Sequence, residues 1–428
     1  SNRAARAMSS HAEAESGGSV RLLFEAVRLI DGIADRPTEA MDVVVDGDSI
    51  AAVVPHGGAL PPVPNGAGAP VTVVDGRGRT LLPGLVDGHA HYTFDPSEGS
   101  LQAIGRRSDD EILAAAARHA GVALAAGITT ARGAGSIRGL ELVLRDRITA
   151  GTVAGPRLVA AGTAVGAPDG HGIAFGIGGS GPKALAAATT WVIDAGADVV
   201  KVVASEAAML TTTGHEPGRI VFGRPELTEE EIRAIVEVAH DRGRRVMAHA
   251  QGTESVIRCA RAGVDSVEHA WLADREAIEV MAGLGTTLVP TLIVTDVNHT
   301  LSGLTPEQRA RQDLIERTNR ASCEAAIELG VPVATGTDTG EVGVTADFVW
   351  REAALVRAHG ASPMAAIQAA TSAAARLLGI DDRTGSVKPG MLADLIVVEG
   401  DPLEDLAALA SPAMVVQAGR IVTRKLRT

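Results

Sequence analysis

His89 and His91 stand two apart in the β-type run LVDGHAH, so both imidazoles point to one face of a strand and can grip one ion from the same side. Alone, the pair is only suggestive, because strand ends also carry histidines that are simply hydrogen-bonded. His249 and His269 close two further apolar runs, in MAHA and VEHA, and Asp338 closes another in TGTD. Four of the 12 histidines at strand-like ends, together with that carboxylate, read as a ligand set for a divalent ion.

Lys201 lies inside the apolar run DVVKVVAS, where an ammonium is costly unless it is paired or chemically altered. It either snorkels, binds a carboxylate, or loses its proton on burial and captures CO₂ as a carbamate whose two oxygens bridge two metals. The ligands around it favour the carbamate. Arg132, ending the run ITTAR, is a bidentate fork for a substrate carboxylate or one half of a structural ion pair.

Such residues need elements to aim them. From Leu81 to about Gly379, β-type runs alternate with helical ones: 85–91, 128–132, 157–162, 198–204, 245–250, 264–270, 287–291 and 331–338. The runs are apolar and non-alternating, as in a parallel sheet covered on both faces. Helices between them carry their own signals: 109–126 closes at Gly127, and Thr228 with Glu231 has capping-box spacing. No GxGxxG follows a first strand, whereas the polar residues gather at the C-terminal ends of several strands. The expectation is an α/β fold, a (β/α)8 TIM-type barrel over residues 81–384. Short β runs with D-G turns at both ends predict a small β-sandwich from 19–80 and 385–428, with the Pro/Gly stretch 56–70 as a surface loop. Residues 1–18 read as a disordered leader.

Composition narrows the function. The 428 residues are 46% hydrophobic but only 2% aromatic, so the core is aliphatic and base stacking is a poor expectation. A net charge of −13 repels phosphate backbones and anionic membrane surfaces. No apolar run reaches the roughly 18 residues of a membrane span. Two isolated cysteines, Cys259 and Cys323, form no disulfide framework and fit a reducing compartment. The expected partner is therefore a small-molecule substrate rather than nucleic acid or membrane, in a cytoplasmic protein.

Together LLPGLVDGHAH, KVVAS, VMAHAQG, SVEHA, TGTD and TSAAARLLGIDDRTGSVKPGMLADLIVVEGDP resemble the amidohydrolase superfamily over residues 20–424. The similarity is to its binuclear branch of prolidase-like enzymes, Xaa dipeptidases and ochratoxinase-like amidases, related to imidazolonepropionase. The resemblance implies one metal held by His89, His91 and Asp338 and a second by His249 and His269, with carboxylated Lys201 between them. Zinc is the implied metal, and a hydroxide shared by the ions the implied nucleophile. Asp338 would carry the proton to the leaving group, and His171, in PDGHG, would reach the substrate oxygen. The implied reaction is hydrolysis of an amide in a dipeptide or an N-acyl amino acid; lactone, carbamate or phosphotriester hydrolysis and a non-catalytic scaffold are the alternatives. Relatives of this kind assemble, so a homo-oligomer is expected. The chain departs from the branch at Arg132-Gly133, where Arg-Asp is usual, and at Ser205-Glu206-Ala207, where glycines are usual. Both departures, and the loop 209–226 with His215 and Arg219, bear on the substrate rather than on the metal ligands.

Overall fold

Valine-rich runs bounded by turn residues become strands along the chain. The computed structural model describes residues 21–60, 71–97, 101–207 and 223–426. The first end supplies β1 (Arg21–Leu29), β2 (Thr38–Asp46), β3 (Ser49–Pro55), β4 (Val71–Asp75) and β5 (Arg79–Pro83). The middle supplies β6 (Leu85–Ala90), β7 (Ile128–Gly133), β8 (Arg157–Ala160), β9 (Ala164–Gly166), β10 (Gly176–Gly178), β11 (Val199–Val203), β12 (Arg245–Gly252), β13 (Ser266–Leu272) and β14 (Thr287–Val289). The last end adds β15 (Leu395–Glu399), β16 (Met414–Gln417) and β17 (Arg420–Arg424). The leader 1–18 and residues 61–70 of the Pro/Gly loop lie outside the described residues.

The two ends build one mixed sheet, in the order β17-β16-β15-β5-β1-β2-β3 with β4 also on β1, where a two-sheet sandwich was expected. The cause is local. β1 is bulged at Ala26, which sits at φ +54° with its N–H donating to Asp42 Oδ1 at 2.9 Å. Before the bulge β1 pairs with β4, and after it with β5, so hydrogen bonding runs unbroken from one chain end to the other. Leu22, Phe24, Val43, Leu395 and Met414 fill the core of this sheet.

Seven of the eight expected runs in the middle are parallel strands, in two ladders, β6-β7-β8 and β10-β9-β11-β12-β13-β14. The closed barrel is not formed as a continuous ladder. Between the ladders a single backbone bond crosses, from Asp198 N to Ala160 O at 2.8 Å, because β9 and β10 intervene. The eighth run, 331–338, lies between β14 and β6 but is not a strand. It makes isolated bonds, Leu288 N to Pro332 O and Gly88 N to Thr335 O, both 2.8 Å, and Asp338 has φ +56°. A side chain replaces the missing ladder: Asp87 accepts from Thr337 N at 2.9 Å and from Thr337 Oγ1 at 2.6 Å.

Helices cover these strands. Asp109–Ala125 starts in a capping box of Ser108 and Glu111 and buries Ala116, Ala120 and Ala123. Glu229–Asp241 starts in the Thr228–Glu231 box that its spacing predicts. Small side chains let helix and strand backbones approach closely, which is how a chain so poor in aromatics fills its interior. Cys259 and Cys323 are buried and free. No helix among the described residues is long and apolar enough to cross a membrane.

Asp87→Ala removes the acceptor for Thr337 and for His89 N, 3.2 Å away, leaving buried donors unpaired. It is expected to lower unfolding free energy by about 3 kcal/mol, against about 1 kcal/mol for the cap variant Thr228→Ala. Urea midpoints of the two variants measure this, and equal shifts would contradict the role given to Asp87.

Candidate metal centre

The side chains at the C-terminal ends of the parallel strands converge on one cleft. His89 is wholly buried on β6; its Nδ1 is 2.7 Å from Glu268 Oε2, and His91 Nδ1 is 2.8 Å from Gly135 O. A carboxylate and a carbonyl oxygen only accept, so each Nδ1 donates and each Nε2 is left to face Asp338. Those two Nε2 atoms lie 3.3 and 3.4 Å from Asp338 Oδ1. Lys201 Nζ is 3.4 Å from His89 Nε2. The donor atoms of His89, His91 and Asp338 lie within 4.8 Å of one another, close enough to hold a metal ion.

A second group adjoins the first. The rings of His249 and His269 are 4.6 Å apart, and those of His89 and His269 5.0 Å. His269 Nδ1 is 2.9 Å from Thr291 Oγ1 and 3.8 Å from Asp338 Oδ2. His171 places its ring 5.2 Å from that of His249 and is anchored by its backbone N–H, which donates to Glu226. His269, Thr291 and Asp338 all have positive φ without being glycine, a strain of about 1–3 kcal/mol each. The left-handed turn at His269 breaks the two-residue alternation of β13.

Burial first, then nearby positive charge, pushes His91 down to about 3 and His171 down to about 4, with His249 and His269 held well below the usual histidine range. Burial lowers Lys201 to about 8 against the pull of Glu268 and Asp338. Burial alone would raise Asp338, but His89 and His91 hold it well below its usual range. Neutral imidazoles beside an anionic carboxylate are a donor set for a cation. Among the described residues His249 Nε2 is a buried atom with no hydrogen-bond partner, which such a cation would satisfy.

Arg132 is not in the cleft. It is 1% exposed and donates to Gly88 O at 2.6 Å, to Ser266 Oγ at 3.0 Å and to both oxygens of Glu268 at 2.9 and 3.0 Å. Of the two readings of Arg132, a fork for a substrate carboxylate and half of a structural ion pair, the geometry supports the second, a buried pair with Glu268 beneath His89. Burial would raise Glu268, but the Arg132 guanidinium and the His89 bond hold it down at about 2. Glu268 was missed in the sequence, although a carboxylate inside VDSVEHA is as costly as a lysine inside DVVKVVAS.

The cleft holds about 930 Å³ including its open mouth. Lys201 and His171 line it with Phe94, Phe175, Trp271 and Glu341. Glu341, also missed, is pushed up to about 8 by burial and by the Asp338 carboxylate. Within the departure at Ser205-Glu206-Ala207, Ala207 lines the cleft, whereas Glu206 pairs with Arg224 at 2.6 Å. His215 and Arg219 lie outside the described residues.

A parallel α/β scaffold presenting histidines, a carboxylate and a lysine from its strand ends is the arrangement of metal-assisted hydrolases. The sequence profile of the amidohydrolase family matches residues 80–422. Ochratoxinase of Aspergillus niger is 30% identical over 371 residues, 79% of this chain and 74% of that protein. Imidazolonepropionase of Rubrobacter xylanophilus is 29% identical over 391 residues, 83% of this chain and 84% of that protein. The crystal structure of a Xaa-Pro dipeptidase with methionine bound in its active site superposes with a TM-score of 0.82 at 30% identity, covering 94% of this chain and 99% of that one. The chain belongs to the amidohydrolase family and is a hydrolytic enzyme acting on carbon–nitrogen bonds. Its scaffold is of the TIM-barrel type shared with these relatives, without the closed ladder.

Removing Glu268 frees His89 to rotate and strands the Arg132 charge. Glu268→Gln, which keeps the shape, is expected to lower divalent-metal affinity by about 10–100-fold, read by competition with a chromogenic chelator. Unchanged affinity would sink the role assigned to this ion pair.

Proposed function

We propose that this enzyme hydrolyses an amide bond of a dipeptide or an N-acyl amino acid at a centre of two divalent ions, zinc in the first instance. His89, His91 and Asp338 would hold one ion, His249 and His269 the other, and Lys201 as a carbamate would lie between them. Bound there, the ions would supply Lewis-acid activation of water and of the scissile carbonyl. The observation that carries the reading is Lys201: its amine lies 2% exposed and 3.4 Å from His89 Nε2, inside the donor cluster, where an ammonium would oppose the metal that the other residues invite.

The chain's own groups have distinct tasks in this reading. Asp338, held anionic among the histidines, takes a proton from the attacking water and returns it to the leaving nitrogen. His171, in the cleft beside His249, donates to the carbonyl oxygen as negative charge develops on it. Phe94, Phe175 and Trp271 exclude water from the scissile bond and pack the apolar parts of the substrate. The amidases and peptidases among the relatives support an amide as the bond that is broken.

Lys201→Ala is expected to reduce bound metal from about two ions per chain to one or none and to abolish cleavage of dipeptides and N-acyl amino acids. Metal analysis by plasma spectrometry, beside a panel that also contains lactones, carbamates and phosphotriesters, is the test. Two ions retained by the variant would overturn the bridged centre, and cleavage confined to the non-amide substrates would overturn the amide assignment.

His171→Asn is expected to lower kcat by about 100-fold while leaving metal content unchanged. An effect confined to KM would make His171 a binding residue only.

A further inference from the structure

Glu341, half-buried in the wall of the cleft, differs from the deeply buried carboxylates of the chain. Asp87 is bonded to Thr337, Glu268 to Arg132, Glu141 to Gly162 N, and Glu352 to Leu292 N and Ile293 N at 3.0 and 2.7 Å. The Glu341 carboxyl has no hydrogen-bond or ion-pair partner among the described residues, yet it lines the cleft. Its backbone is fixed: its N–H donates to Asp338 O at 3.2 Å, and its carbonyl accepts from Val344 N at 2.9 Å. The side chain is thus held three residues beyond Asp338, among the apolar walls formed by Phe94, Trp271, Val294 and Leu301. A carboxylate beside such walls is poorly solvated, and a positive or hydrogen-bond-donating group that reaches it stabilises it. No described side chain does so, and a cationic group of a substrate entering the cleft would supply it.

Resting on the reading of the centre as an amidase, we propose that Glu341 is a specificity-determining residue that binds the free α-ammonium group of an unprotected dipeptide with apolar side chains. An α-ammonium is separated from the scissile carbonyl by one carbon, so a carboxylate close along the chain to Asp338 is suitably placed for it. The apolar walls accept the flanking side chains, and desolvation there strengthens the ion pair. N-acyl amino acids, which lack the charge, would leave Glu341 unpaired and be disfavoured.

The test uses metal-loaded wild type, Glu341→Gln and Glu341→Ala, with metal content measured first to establish that the centre is intact. Leu-Phe and N-acetyl-Leu-Phe serve as substrates, and leucinol and N-acetylleucinol, which carry a hydroxymethyl group in place of the scissile carbonyl, as ligands for calorimetry. Wild type is expected to bind leucinol about tenfold or more tighter than its acetylated form and to prefer Leu-Phe. Glu341→Gln is expected to erase both preferences by raising KM for Leu-Phe, with kcat and the acetylated compounds little changed. Equal losses for free and acetylated compounds, or a leucinol preference that survives both substitutions, would overturn the assignment. If wild type cleaves neither peptide while the leucinol preference is lost in Glu341→Gln, the amidase reading falls and the ammonium site stands.

Discussion

The Arg132–Glu268 ion pair is the interaction on which the centre depends. Each member is dry, and a lone buried charge of either sign would be prohibitive, so each residue is tolerable only because of the other. The pair does more than neutralise itself. Glu268 spends one oxygen on His89 Nδ1 and both on the guanidinium, which in turn holds Gly88 O and Ser266 Oγ. Strands β6, β7 and β13 are thereby tied together beneath the histidine that all the other donors face.

Much of the site was legible because its residues violate the local composition. Histidines closing apolar runs and a lysine within one are costly placements, and the structure gathers His89, His91, Lys201, His249, His269 and Asp338 around one cleft. What the pattern hid was direction. Arg132 ends a strand as a substrate-binding arginine would, but its length carries it across the sheet interior to Glu268 rather than up into the cleft. Glu268 and His269 are neighbours that simple alternation would send to opposite faces. The positive φ at His269 instead lets one brace His89 while the other joins the cluster.

The fold was legible in the same uneven way. Seven runs become parallel strands because apolar stretches between helices have little choice. The eighth run has the same apolar start but contains Pro332 and Gly336 and ends in a left-handed Asp338, so it makes only isolated backbone bonds to its neighbours, supplemented by the Asp87 side chain. At the chain ends, alternation correctly marks strands but says nothing of a bulge at Ala26, which turns two expected layers into one bent sheet.

The break between β8 and β11 divides the wall of the cleft into parts of unequal stiffness. His89, His91, Lys201, His249 and His269 stand on or directly beside ladder strands, whereas His171 opens a short 3-10 turn, His171–Phe175, held by the Glu226 carboxylate. Insertions or exchanges in the stretch between β8 and β11 therefore leave the geometry of the donor cluster standing while they move His171. The gap is thus a joint, with a stiff frame that gathers the donor cluster on one side and a separately anchored jaw that carries His171 on the other.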